Sequence, residues 1–115
     1  MGKGDEVALC RLTQLTFLRL ITVEAVMKRN VLSNARALEL LASMMDDPRF
    51  AFIKDEPPGV GEDWFTWAEA KTPSPGAWMD AYLAALAKGL RVRLVTFDKG
   101  FERFRRMGLE LLVLT

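Results

Sequence analysis

Short runs of β-forming apolar residues alternate with longer segments of helical spacing along the whole chain, and this alternation constrains the fold more than any other feature. Residues 6–10, 50–53, 91–97 and 109–114 are predicted strands. The last of these is almost entirely apolar, which suits a strand covered on both faces. Between the strands, apolar residues recur three or four apart. Leu15, Leu18, Ile21 and Val26 predict a helix that Thr13 can cap. Ala37, Leu38, Leu41 and Met45 predict a second, opened by Ser33 or Asn34 and stopped by Pro48. A third covers 62–70 with Trp64, Phe65 and Trp67. A fourth starts at Ser74 as cap with Pro75 in its first position, and runs to Lys88 with Gly89 at its end. Residues 99–107 predict a short basic helix broken by Gly108. Pro57, Pro58, Pro73 and Pro75 mark loops, because proline donates to neither helix nor sheet. Strands separated by helices imply parallel pairing through right-handed crossovers, hence an α/β sandwich.

Composition narrows the chemistry. The 115 residues suffice for one domain, and with half of them apolar the chain can offset its conformational entropy. Sixteen Lys and Arg against fifteen Asp and Glu leave a formal charge of +1, so a strongly basic nucleic-acid surface is not expected. The chain has no histidine, which excludes Ser-His-Asp, Cys-His and His-ligated zinc sites. Its single cysteine, Cys10, excludes an intramolecular disulfide and fits a reducing, cytoplasmic home. No uncharged apolar run approaches the roughly 20 residues of a membrane-spanning helix, and neither terminus resembles a signal peptide. Any catalysis falls to carboxylates, hydroxyls and a hard metal ion.

In parallel α/β units the C-terminal strand ends and the following helix N-termini share one edge, where ligands bind. Asp98 follows the 91–97 strand, Asp80 lies in the first turns of the helix after Ser74, and Gln14 opens the helix after the first strand. Asp80 shares a helical face with Ala84 and Ala87, so it heads a packed stripe of small residues. Each acid has a plainer reading. Asp80 sits well near the positive end of a helix dipole, and Asp-Lys-Gly is ordinary turn chemistry. Two carboxylates converging on a strand edge without histidine suggest Mg2+ or Mn2+, which can activate water for phosphodiester hydrolysis.

Residues 77–87 (AWMDAYLAALA) and 94–101 (LVTFDKGF) resemble the last two acidic motifs of PIN-domain ribonucleases, in particular VapC-type toxins of type II toxin–antitoxin systems. Residues 12–22 (LTQLTFLRLIT) are similar to the segment around that family's second acidic position. The resemblance implies a PIN-like three-layer α/β sandwich with a mostly parallel central sheet. It implies a metal-dependent endoribonuclease whose partners are RNA, a cognate antitoxin and a second copy in a homodimer, with no membrane. Asp80 and Asp98 would be catalytic metal ligands, Thr96 a supporting hydroxyl, and Gln14 would stand where many members carry glutamate. PIN domains usually begin with a central strand that ends in a metal-binding aspartate. Nothing before Glu6 supplies either, and Asp5 precedes a strand instead of ending one. The resemblance therefore implies a single, N-terminally truncated PIN-like domain over residues 1–115. Such a chain is either a working nuclease or an inactive remnant that binds an antitoxin or itself.

Other residues keep two readings. Lys99, Arg103, Arg105 and Arg106 could contact RNA phosphates or form a solvated basic face. Trp64, Phe65, Trp67 and Trp78 could stack on bases, receive an antitoxin segment or pack the core. Arg19 fits either the matching segment or a surface ion pair, and Cys10 fits a buried inert thiol. Glu24, Asp46, Asp47, Asp55, Glu56, Glu62 and Asp63 are expected on solvated surface away from the edge.

Overall fold

A computed structural model describes residues 7–114. Asp5 and Glu6 lie outside the described residues. The chain divides into two compact units, Met1–Lys54 and Asp55–Thr115. Every predicted segment from the first strand onward is found with its predicted type, and the strands pair in parallel as the alternation requires. No helix among the described residues is long and apolar enough to cross a membrane.

In the first unit, β1 (Val7–Leu9) pairs in parallel with β2 (Phe50–Phe52), with Val7 opposite Phe50 and Leu9 opposite Phe52. Helices α1 (Arg11–Ile21), α2 (Glu24–Met27) and α3 (Asn34–Asp46) lie between them in sequence, and a 3-10 turn at Lys28–Asn30 follows α2. Thr13 is not the cap of α1. Cys10 occupies that position, and the Thr13 hydroxyl reaches back from the third helical residue to accept the Cys10 amide at 2.9 Å. The expected apolar stripe on α1 is also rotated. Gln14 and Ile21 are buried while Leu15 and Val26 are exposed, and the helix ends at Ile21 instead of running on to Val26. Ser33 does cap α3, its hydroxyl accepting the Arg36 amide at 3.2 Å. Ala37 on α3 is buried, but Leu38 is exposed.

In the second unit, β3 (Leu94–Thr96) pairs in parallel with β4 (Leu111–Val113). Helices α4 (Val60–Ala68) and α5 (Ala77–Leu90) precede them, and a 3-10 helix (Lys99–Met107) joins them. Ala81, Ala84, Ala87, Phe101, Phe104, Leu109 and Leu111 form the core with Ala68 of α4. The alanine stripe lets α5 come close to its neighbours because no long side chain holds them apart. The 99–107 segment is 3-10 throughout. Its three-residue period stacks Phe101 and Phe104 on one inward line and leaves the residues between them in solvent. Gly108, at φ +96°, ends it in the left-handed conformation that glycine tolerates best.

Three expectations are corrected here. The α5 helix starts at Ala77, not after Ser74, because Pro75 sits inside a turn closed by the Ala77 amide on the Ser74 carbonyl at 3.0 Å. The helix runs through Gly89 to Leu90, and Arg91 takes the left-handed cap. Gly89 serves close approach instead, since a Cβ there would stand 2.8 Å from Val60 Cγ2. Finally, β4 is covered on one face only: Leu109 and Leu111 are buried, whereas Leu112 and Leu114 are exposed.

The Gly89–Val60 contact is testable. Gly89→Ala should destabilise the protein by about 1–3 kcal/mol. Pairing it with Val60→Ala in denaturant unfolding should cost less than the two single changes added together, because the second change removes the clash.

Candidate active site

Asp98 lies two residues beyond the end of β3, and its backbone and side chain are both fixed locally. The Thr96 hydroxyl accepts the Asp98 amide at 3.1 Å, and Asp98 Oδ1 accepts the Gly100 amide at 2.8 Å. This makes Asp98 the N-cap of the 3-10 helix. A Cβ on Gly100 would lie 3.0 Å from Asp98 Oδ1, so the glycine keeps that cap tight. The bond uses one carboxylate oxygen, and Oδ2 has no hydrogen-bond partner among the described residues.

Asp80 comes from the first turn of α5. It heads the line continued by Ala84 and Ala87, both buried, so its side chain is drawn towards the core and is only 28% exposed. Arg103 Nη2 stands 3.9 Å from Asp80 Oδ2. Burial raises the Asp80 carboxyl above its ordinary value of 3.8. The Arg103 charge works against that rise, and the Asp98 charge adds to it. Asp80, Asp98 and Arg103 therefore share one electrostatic neighbourhood in the second unit. Gln14 belongs to the first unit, where it is buried and accepts a hydrogen bond from Arg11 Nη1 at 2.8 Å.

The four basic candidates do not form one face. The 3-10 period puts Lys99 and Arg105 in line with Glu102, and Arg103 and Arg106 in line with Gly100. Arg105 is ion-paired to Glu102. Arg103 donates to the Gly100 carbonyl at 2.9 Å and lies 4.4 Å over the Phe104 ring. Its place beside Asp80 was not foreseen from the sequence.

The aromatic candidates divide in the same way. Trp64 and Trp67 pack against the core, Trp67 stacking on Phe104 at 5.9 Å, while Phe65 and Trp78 are exposed. Cys10 is buried. Several acids expected on the surface hold local partners. Arg49 bonds lower the Asp47 carboxyl to about 2, Asp63 meets Lys88 at 3.8 Å, and Glu56 accepts the Tyr82 hydroxyl at 2.5 Å.

Carboxylate oxygens are the donors that Mg2+ or Mn2+ prefers. A cation would also relieve the part of Asp80's desolvation that the Arg103 charge does not offset. Among the described residues no three His, Cys, Asp or Glu side chains gather closely enough to hold an ion by themselves. A hard cation held by two carboxylates alone would have to keep several of its waters, as Mg2+ does.

The PIN domain family matches residues 3–107. Ribonuclease VapC41 from two strains of Mycobacterium tuberculosis is 38% identical over 106 residues, which cover 90% of this chain and 73% of the relative.

Two outcomes follow from the electrostatics of Asp80. In carbon-detected NMR titrations, Arg103→Gln should raise the Asp80 pKa further and Asp98→Asn should lower it. Because the folded chain holds the Asp80 proton more tightly than the unfolded chain, Asp80 subtracts stability as pH rises through its ordinary value towards its folded value. Asp80→Asn should therefore melt higher than the parent at neutral pH and lose that advantage in acid below the ordinary carboxylate range.

Proposed function

The chain belongs to the PIN-domain family, and from that premise we propose that it is a toxin-type endoribonuclease that hydrolyses RNA phosphodiesters with Mg2+ or Mn2+. The observation that carries this reading is the pairing of Asp80 with Asp98, one acid desolvated at the head of α5 and the other capping the helix after β3. The relative's name, a ribonuclease, supports the same reaction class.

In this reading Asp80 and Asp98 would hold the metal, which would supply a polarising charge and activate water for attack on the phosphodiester. The chain's own residues set the geometry. Packing of Ala84 and Ala87 aims Asp80, and the Gly100 amide fixes one oxygen of Asp98 and leaves the other without a hydrogen bond among the described residues. Thr96 acts through the backbone, by holding the Asp98 amide. Lys99 and Arg106, both exposed, are proposed phosphate contacts, and Arg105 is a weaker one because Glu102 already pairs with it.

The proposed setting is cytoplasmic, with residues 1–115 acting as one PIN-like domain beside an antitoxin and a second copy of the chain. The exposed apolar side chains Val95, Phe97, Leu112 and Leu114 on and beside β3 and β4 support protein partners.

The test is cleavage of a labelled structured RNA by the purified chain in Mg2+, Mn2+ or EDTA, alongside Asp80→Asn and Asp98→Asn. Cleavage should require metal and fall by about a hundredfold or more in each variant. Absence of cleavage, or cleavage indifferent to both acids, overturns the nuclease and leaves a binding module.

A further inference from the structure

The Arg103 guanidinium is anchored by contacts that do not involve Asp80. Nη1 donates to the Gly100 carbonyl at 2.9 Å, and the plane lies 4.4 Å over the ring of Phe104, which is fully buried. Only Nη2 faces Asp80, at 3.9 Å, which is longer than a charge-assisted hydrogen bond. The charge is therefore held beside the acids without consuming their oxygens. Gly100 links the two halves of the arrangement, since its carbonyl takes Arg103 and its amide holds Asp98.

We propose that Arg103 is a fixed charge that trades affinity between the two ligands of the acidic site, opposing a divalent cation at Asp80 and Asp98 while attracting an RNA phosphate to the same place. The inference rests on the proposed function. A positive charge tethered to Gly100 and Phe104 stays where it is when a cation arrives, so the two repel each other. The same charge draws in a phosphodiester, to which Nη2, not engaged with Gly100, can donate. Arg103 is thus a positioning residue for substrate that lowers the resting affinity for metal. Its removal acts on the two ligands with opposite signs, whereas loss of a merely structural residue weakens both.

Mn2+ affinity is measured by electron paramagnetic resonance, and affinity for a labelled single-stranded RNA oligonucleotide is measured in EDTA. The proteins are the parent, Arg103→Gln, Arg103→Met, Arg103→Lys and Asp98→Asn. Both uncharged variants should bind Mn2+ about three- to tenfold more tightly. They should bind RNA about five- to tenfold more weakly, with a salt dependence shallower by about one ion. Arg103→Lys, which keeps the charge, should stay within about twofold of the parent for Mn2+. Arg103→Met keeps apolar contact with Phe104, so the sign of the effect can be read even if the glutamine variant folds poorly. Mn2+ binding that is unchanged or weaker in the uncharged variants overturns the inference. If the parent's Mn2+ binding is meanwhile lost in Asp98→Asn, the metal-site reading stands without it. A parent that binds no Mn2+ overturns both.

Discussion

The close approach of α5 to the rest of its unit is the constraint on which the second unit depends. Ala81, Ala84, Ala85 and Ala87 present almost no side-chain thickness, and Gly89 presents none where Val60 presses against the helix. The aromatic residues Phe101 and Phe104 fill the remaining space from the 3-10 helix, with Trp67 stacked outside them. Because interiors pack nearly as densely as organic crystals, such a contact fixes the rotation of α5 about its own axis. That rotation decides where Asp80 goes, as the acid lies on the same line as Ala84 and Ala87.

The site inherits both its order and its tension from this packing. Burial of Asp80 works against its charge, the nearby Asp98 works against it again, and Arg103 only partly compensates. Burial and repulsion weigh on the acid in a way that a neutral side chain would not feel, against the gain it draws from the helix N-terminus. Stored electrostatic cost of this kind is typical of places where a ligand is meant to arrive. Arg103 then has a double identity, as a counter-charge to Asp80 and as part of the lining of the Phe104 ring. Its position couples the acid pair to the core.

Legibility from sequence varied with the range of the interaction involved. The Ser33 cap of α3, the Gly108 stop and the parallel strands follow from local chemistry, and each is found as read. The stripe carrying Asp80 was equally legible, because Asp, Ala and Ala at four- and three-residue spacing can face only one way on a helix. Caps involving competition were less so. Cys10 and Thr13 share the start of α1, and Pro75 is taken by a turn before α5 begins. Gly89 shows the same ambiguity, since a glycine near a helix end suits either termination or close packing and only the position of Val60 distinguishes them. The one-sided cover of β4 was not legible, as an unbroken apolar run looks the same whether one face or both are packed.

The sequence by itself determined the alternation of strand and helix, the exclusion of histidine and disulfide chemistry, and the candidacy of Asp80 and Asp98. These are consequences of residue type and short spacing, which act within a turn or two of backbone. Tertiary structure decided the charge environment of those acids. It set how far Asp80 is buried, brought Asp98 close enough to disturb it, and placed Arg103 at 3.9 Å. It also chose the 3-10 winding of 99–107, which split the basic residues into separate lines and turned Arg103 alone towards Asp80. Electrostatic energies depend on distance and desolvation between groups far apart in sequence, and neither quantity exists until the chain has packed.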